Sequence, residues 1–130
     1  MCGSLRILAR DRMKMLPDKR AQQEWSVPGG KFRITVETGK SGVAQWDGHA
    51  REESLKNTWY SKGWKRCDIH VDGYTEGYVK NQYNVPKSYV IAGIAKKVGN
   101  VVLFRVITRD ARGAETKVHD RFPKMIKQRY

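Results

Sequence analysis

The dominant apolar period of this chain is two, and that makes half-buried β-strands the main element of its fold. Phe32, Ile34 and Val36 alternate with Arg33, Thr35 and Glu37, so Lys31 to Thr38 is read as a half-buried strand. Cys67, Ile69 and Val71 repeat the pattern in Lys65 to Val71, and Leu5, Ile7 and Ala9 carry it near the start of the chain. Tyr74 to Val79 and Ser88 to Ala95 read as further strands. Val101 to Thr108 is apolar enough for a buried central one.

Punctuation between these stretches is local. Val27-Pro28-Gly29-Gly30 and Ala111 to Glu115 read as turns, Asp72-Gly73 as a turn or bulge, and Gly39 to Gly48 as a loop holding Trp46. Glu52 to Trp59 reads as a short helix, because Leu55 and Trp59 lie four apart. Arg10 to Glu24, broken by Pro17, is read as a helix followed by a loop, and Lys117 to Tyr130 as a basic tail. With 130 residues, the expectation is one domain spanning 1–130, of α+β class, rich in strands and carrying a few short helices.

Charge narrows the partner. Lys and Arg number 26 against 13 Asp and Glu, a formal net charge of +13. An excess of that size on a small domain points to a polyanion, and nucleic acid is the commonest one. No stretch approaches the roughly 18 consecutive apolar residues of a membrane-spanning helix, so no membrane partner is expected. The first residues are too charged for a secretory signal, which leads to an intracellular expectation, with Cys2 and Cys67 as free thiols.

Four positions could carry chemistry. Loss of Met1 would leave Cys2 with a thiol and an α-amine on one residue, both partly deprotonated near neutrality. Such a pair captures an aldehyde twice, as an imine and then as a five-membered thiazolidine. Glu76, after a strand and Asp72-Gly73, suits a general acid or base, and so does His119, with an ordinary pKa near 6.5. Arg51 suits a bidentate phosphate contact, with a salt bridge to a neighbouring glutamate as the alternative. Trp46, in a polar and glycine-rich loop, is the tryptophan expected at a nucleic-acid groove. His49, His70 and His119 with the two cysteines lack the spacing of structural zinc sites. Neither a metal nor another cofactor is expected.

The order of five blocks resembles a known family. Met1-Cys2-Gly3 comes first, then Ala50-Arg51-x-Glu53, then Arg66-Cys67-x-Ile69-x-x-Asp72-Gly73-Tyr74-x-Glu76. Tyr89 to Gly93, ending Ile91-Ala92-Gly93, and Val118-His119-Asp120-Arg121-Phe122-Pro123 follow. These are similar to the MCG, NARxE, RCxxPxxGFYEW, IAG and HxRMP blocks of the SOS response-associated peptidase (SRAP) family, whose members protect abasic sites by cross-linking to DNA. The resemblance implies a curved antiparallel sheet or barrel. It implies autocatalytic loss of Met1 and a lyase-like, covalent attachment of Cys2 to the ring-opened sugar of an abasic site in single-stranded DNA. Glu76 would assist Met1 removal and proton transfer, and His119 would help to open the sugar and to reverse the cross-link. Arg51, His49, Trp46 and Arg121 would contact DNA.

There are departures. His49 stands where the family has asparagine, the WGLxPxW stretch has at most a remnant in Gln45-Trp46, and the chain stops soon after Pro123. The resemblance is therefore to a compact version, of the kind a bacteriophage encodes. The protein is expected in the cytoplasm of a bacterial or phage-infected cell, near the nucleoid, as a monomer. Two other readings remain: a non-covalent module binding single-stranded nucleic acid, and an N-terminal-nucleophile amidohydrolase, since glutamine amidotransferases also begin Met-Cys-Gly.

Overall fold

The alternating stretch from Lys65 runs on to Glu76, divided at His70, where the chain leaves one β-sheet and enters another. The computed structural model describes residues 2–7, 25–29, 31–32, 43–77 and 81–127. Among these the chain forms β1 (Cys2–Ile7), β2 (Trp25–Ser26), β3 (Lys31–Phe32), β4 (Val43–Arg51), β5 (Lys65–Ile69) and β6 (Val71–Glu76). It continues with β7 (Asn81–Asn84), β8 (Tyr89–Val98), β9 (Val101–Asp110), β10 (Arg121–Pro123) and β11 (Met125–Lys127). Helical turns occupy 52–62 and a further turn Gly113–Lys117. No described helix is long and apolar enough to cross a membrane.

Strands β2-β1-β6-β7 make an antiparallel four-stranded sheet in that order. A seven-stranded sheet follows the path β11-β8-β9-β4-β3, with β5 paired to β8 and β10 to β9. The fold is β-rich and α+β. Most strand pairs are antiparallel, as the family resemblance implies, but β4 and β9 run parallel, from Val43 opposite Val101 to Arg51 opposite Thr108. The excursion through β5 to β8 supplies the long crossover that a parallel pair requires.

The large sheet is covered on both faces. On one, Trp46, Ile69, Phe104 and Val106 pack with Leu5 and Tyr74 of the small sheet. On the other, Ala92, Ile94 and Ile107 pack with Leu55 and Trp64 of the helical segment. Double coverage explains why β8 is buried without interruption from Val90 to Ala95 and shows no alternation there.

Strands β8 and β9 pair from Val98 opposite Val101 to Gly93 opposite Val106, and then part. The segment 121–127 fills the fork: β10 pairs with β9 and β11 with β8. Between them, Lys124 donates its N–H to Ile107 O (2.8 Å) and accepts that of Ala92 (2.7 Å). The expected tail from Lys117 is thus, as far as Lys127, sheet and loop. Its few apolar residues show no period because they seat in a wedge between two strands.

One other expectation changes and another is narrowed. Residues 43–48 belong to β4 and not to a loop; the register shifts between Trp46 and Gly48, and that bulge disrupts the alternation by which a strand is recognised. Asp72-Gly73 lies inside β6 and, of a turn or a bulge, is the bulge: Arg6 opposes Gly73 and Ile7 opposes Val71, which leaves Asp72 as the extra residue. A Cβ on Gly73 would stand 2.5 Å from Tyr83 O, so the glycine lets neighbouring backbone approach. The readings of Arg10 to Glu24, of Ala9 and of Arg33 to Thr38 lie outside the described residues.

Candidate functional site

The β1–β6 pairing sets Cys2 opposite Glu76. Glu76 is buried, with 1% of its surface exposed. Burial pushes its carboxyl up to about 7, against the opposing pull of the chain's amino terminus and of the Gly77 backbone N–H. A carboxyl in that range exchanges a proton near neutral pH. The other cysteine is chemically quiet, since burial pushes the Cys67 thiol up to about 12.

Gly77 joins this pair to the next block. It has φ +79°, and a Cβ there would lie 2.9 Å from Val118 Cγ1, so the turn after β6 closes tightly on the residue before His119. His119 follows the turn Gly113–Lys117, which is tied back to β9 by a bidentate Arg109–Glu115 pair at 2.8 and 3.0 Å. Nδ1 of His119 lies 2.7 Å from Asp120 Oδ1 and accepts the backbone N–H of Arg121 at 3.2 Å. Unprotonated, that nitrogen takes the Arg121 N–H; protonated, it donates to Asp120. Asp120 also contributes to raising the Glu76 carboxyl, behind burial.

At the end of β9 a cleft of about 330 Å³ is lined by His49, Arg51, Thr108, His119, Asp120 and Arg121. Arg51 and Thr108 are register partners on the parallel β4–β9 pair, while β10 flanks β9 on its other side. Arg51 is exposed and makes no ion pair among the described residues. Its neighbouring glutamates are engaged elsewhere: Glu52 with Lys124 and Glu53 with Arg121. Four of the expected site residues, His49, Arg51, His119 and Arg121, therefore share one cleft.

Two expected DNA contacts are corrected by their surroundings. Trp46 is fully buried, stacks on Phe104 at 6.3 Å and donates its indole N–H to Gly48 O at 2.8 Å, so no base can reach it. Arg121 is 4% exposed. Its guanidinium donates to Glu53 (3.0 and 3.1 Å), Asp110 (2.7 Å) and Thr108 O (2.6 Å), which places its charge in an internal cluster. Arg121 shapes the cleft floor and is not a free phosphate ligand.

Other residues that build the site escaped sequence reasoning. Arg105 pins the β4 bulge from below, pairing with Asp47 at 2.7 Å and donating to His49 O at 2.9 Å under Trp59, whose ring centre is 4.3 Å away. A lone arginine within the apolar run Val101 to Thr108 was the available signal. Asp120 sat within a recognised block, but nothing in the spacing marked it. Among the described residues no group of three or more His, Cys, Asp or Glu side chains could hold a metal ion. Comparison with protein-family models, curated proteins and solved structures finds no match.

Proposed function

We propose that this protein captures abasic sites in single-stranded DNA by covalent attachment through Cys2. One observation carries the reading: the β1–β6 register sets Cys2 opposite a buried carboxyl, Glu76, raised to about 7. After loss of Met1, the Cys2 α-amine condenses with the aldehyde of the ring-opened sugar, releasing water and leaving an imine. The thiolate then adds to the imine carbon and the nitrogen takes up a proton, closing the thiazolidine. Glu76 serves as the acid–base group for Met1 removal and for these proton transfers. His119, held at Nδ1, assists sugar opening and reversal of the cross-link. Arg51, left without an ion-pair partner among the described residues, holds the backbone beside the lesion. The +13 net charge supplies attraction without sequence readout, and the aldehyde supplies selectivity.

The test is a single-stranded oligonucleotide with one uracil, treated to remove the base, mixed with the protein and run on a denaturing gel. A shifted band is expected for the wild type and none for Cys2→Ala. Intact mass should show the reactive chain lacking Met1. A band that persists in Cys2→Ala, or one formed by protein retaining Met1, sinks the proposed nucleophile. Wild-type protein that binds the strand but yields no band would favour the non-covalent reading.

A further inference from the structure

Among the described residues, one group of exposed, unpaired cations lies away from the cleft. Acidic side chains around it are spent on internal pairs: Glu53 and Asp110 on Arg121, Glu52 on Lys124, and Asp120 on His119. Glu115 and Asp47 are likewise paired, with Arg109 and Arg105. At the other end of the large sheet, three segments bring cations together. Lys62 ends the helical turns, Lys65 and Arg66 begin β5, and Lys96 and Lys97 lie near the end of β8. Lys65 opposes Ala95 and Arg66 opposes Ile94, so Lys65 lies diagonal to Lys97 on one face of the sheet and Arg66 diagonal to Lys96 on the other, and the four cations straddle its edge.

Lys62, Lys65, Arg66 and Lys97 are exposed and make no ion pair among the described residues. Asp68, the nearest acid along β5, is half-buried and forms no ion pair with them. Two of the group are anchored. Lys96 Nζ donates to Lys62 O at 2.9 Å, and Lys62 Nζ lies 6.0 Å from the Trp59 ring centre. Among the described residues β5 pairs with β8 alone, so this is also a sheet edge. Charged side chains on an edge strand guard against aggregation. That role does not call for further cations from β8 and the helical turns beside them.

We infer that this sheet edge, with Lys65 and Lys97 on one face and Lys62, Arg66 and Lys96 on the other, binds the phosphodiester backbone of a nucleic-acid strand at a distance from the cleft. Lys97 opposes Val102, and Thr108 of the cleft lies six residues further along β9. At strand rise that is about 20 Å. A strand gripped at the lesion by Arg51 would thus meet a second, sequence-independent hold several nucleotides away. The cleft end of this path rests on the abasic-site reading above; the cationic surface does not.

The experiment compares two triple variants that remove the same charge. One is Lys65→Ala/Arg66→Ala/Lys97→Ala; the other is Lys87→Ala/Lys117→Ala/Lys127→Ala, at exposed positions elsewhere. Both are checked for unchanged thermal melting, with Gln variants replacing Ala if melting falls. Fluorescence anisotropy with an undamaged single-stranded oligonucleotide, across a salt series, reads Kd and its salt slope. For the β5/β8 variant the slope should drop by about 2 and Kd should weaken by at least about tenfold at low salt, since each phosphate contact on a single strand contributes ~0.7 to the slope. The control variant should lose much less. Equal losses in both, no loss in the first, or no salt-dependent binding by the wild type overturns the inference. A wild type that binds in this way but forms no cross-link with abasic DNA overturns the abasic-site reading and leaves this one standing.

Discussion

Trp46 and His49 stand three positions apart on β4, yet their rings meet edge to face at 5.6 Å on the same side of the sheet. A regular strand would send them to opposite faces. The bulge between Trp46 and Gly48 supplies the missing half-period, and Arg105 clamps it from the other face through Asp47 and His49 O. Core packing at Trp46 is thereby coupled to the presentation of His49 and Arg51 in the cleft.

Replacing Arg105 with Met should loosen that coupling. Asp47 loses its partner and His49 O its donor, with an expected cost of about 1–3 kcal/mol in urea unfolding. Cross-linking of abasic DNA should slow beyond what the stability loss explains. Arg105→Lys should recover little, because one ammonium cannot replace a fork that reaches both groups. Full recovery by lysine would show that charge alone is needed.

Trp46→Ala should destabilise the fold by about 3–5 kcal/mol through the cavity left in the core. Under conditions where the variant remains folded, its affinity for undamaged single-stranded DNA should match the wild type. A selective loss of DNA affinity with stability unchanged would return Trp46 to the groove.

Arg121→Ala should lower stability by about 1–3 kcal/mol, since Thr108 O loses its donor and Glu53 and Asp110 lose their common cation. The salt slope of DNA binding should change little, because this charge is already neutralised internally. A slope reduced by about 0.7 would instead assign Arg121 a phosphate.

Glu76 carries a pH dependence with a definite sign. Its carboxyl is raised by burial from 4.5 to about 7, so the folded state holds the proton more tightly than the unfolded one. The stabilisation is complete below about 4.5 and is lost as the pH rises through about 7. Glu76→Gln, which mimics the protonated carboxyl, should gain stability relative to the wild type as the pH rises across that window. The same variant should slow Met1 removal or cross-linking. Parallel urea midpoints at every pH would remove burial as the controlling influence on Glu76.

For His119→Ala, both formation and reversal of the cross-link should slow when followed on denaturing gels over time. If neither rate changes, the imidazole has no part in the chemistry and serves only the packing around Val118.

Local patterns in the chain carried a good part of this description. The strands at Lys65, Ser88 and Val101 were legible from apolar period and runs, because each strand's side chains alternate or bury independently of its partner. The wedge at 121–127 and the short β7 were not, since their burial comes from strands far away in sequence. Within the site, Arg51, Glu76 and His119 were singled out by residue type and order, and the fold sets Arg51 and His119 in one cleft and Glu76 beside the turn that closes on Val118.

By itself the sequence determined the strand-rich class, the positive surplus and the residue types able to capture an aldehyde. Only the tertiary structure decided which charges remain available. Arg121 meets Glu53 from 68 residues away, and that non-local pair leaves Arg51, two positions before Glu53, without a counter-ion among the described residues. Likewise a one-residue register shift against β9 turns Trp46 inward and brings His49 to its side. Spacing along a chain encodes the period of a strand; register and ion pairing depend on what the rest of the chain packs against it.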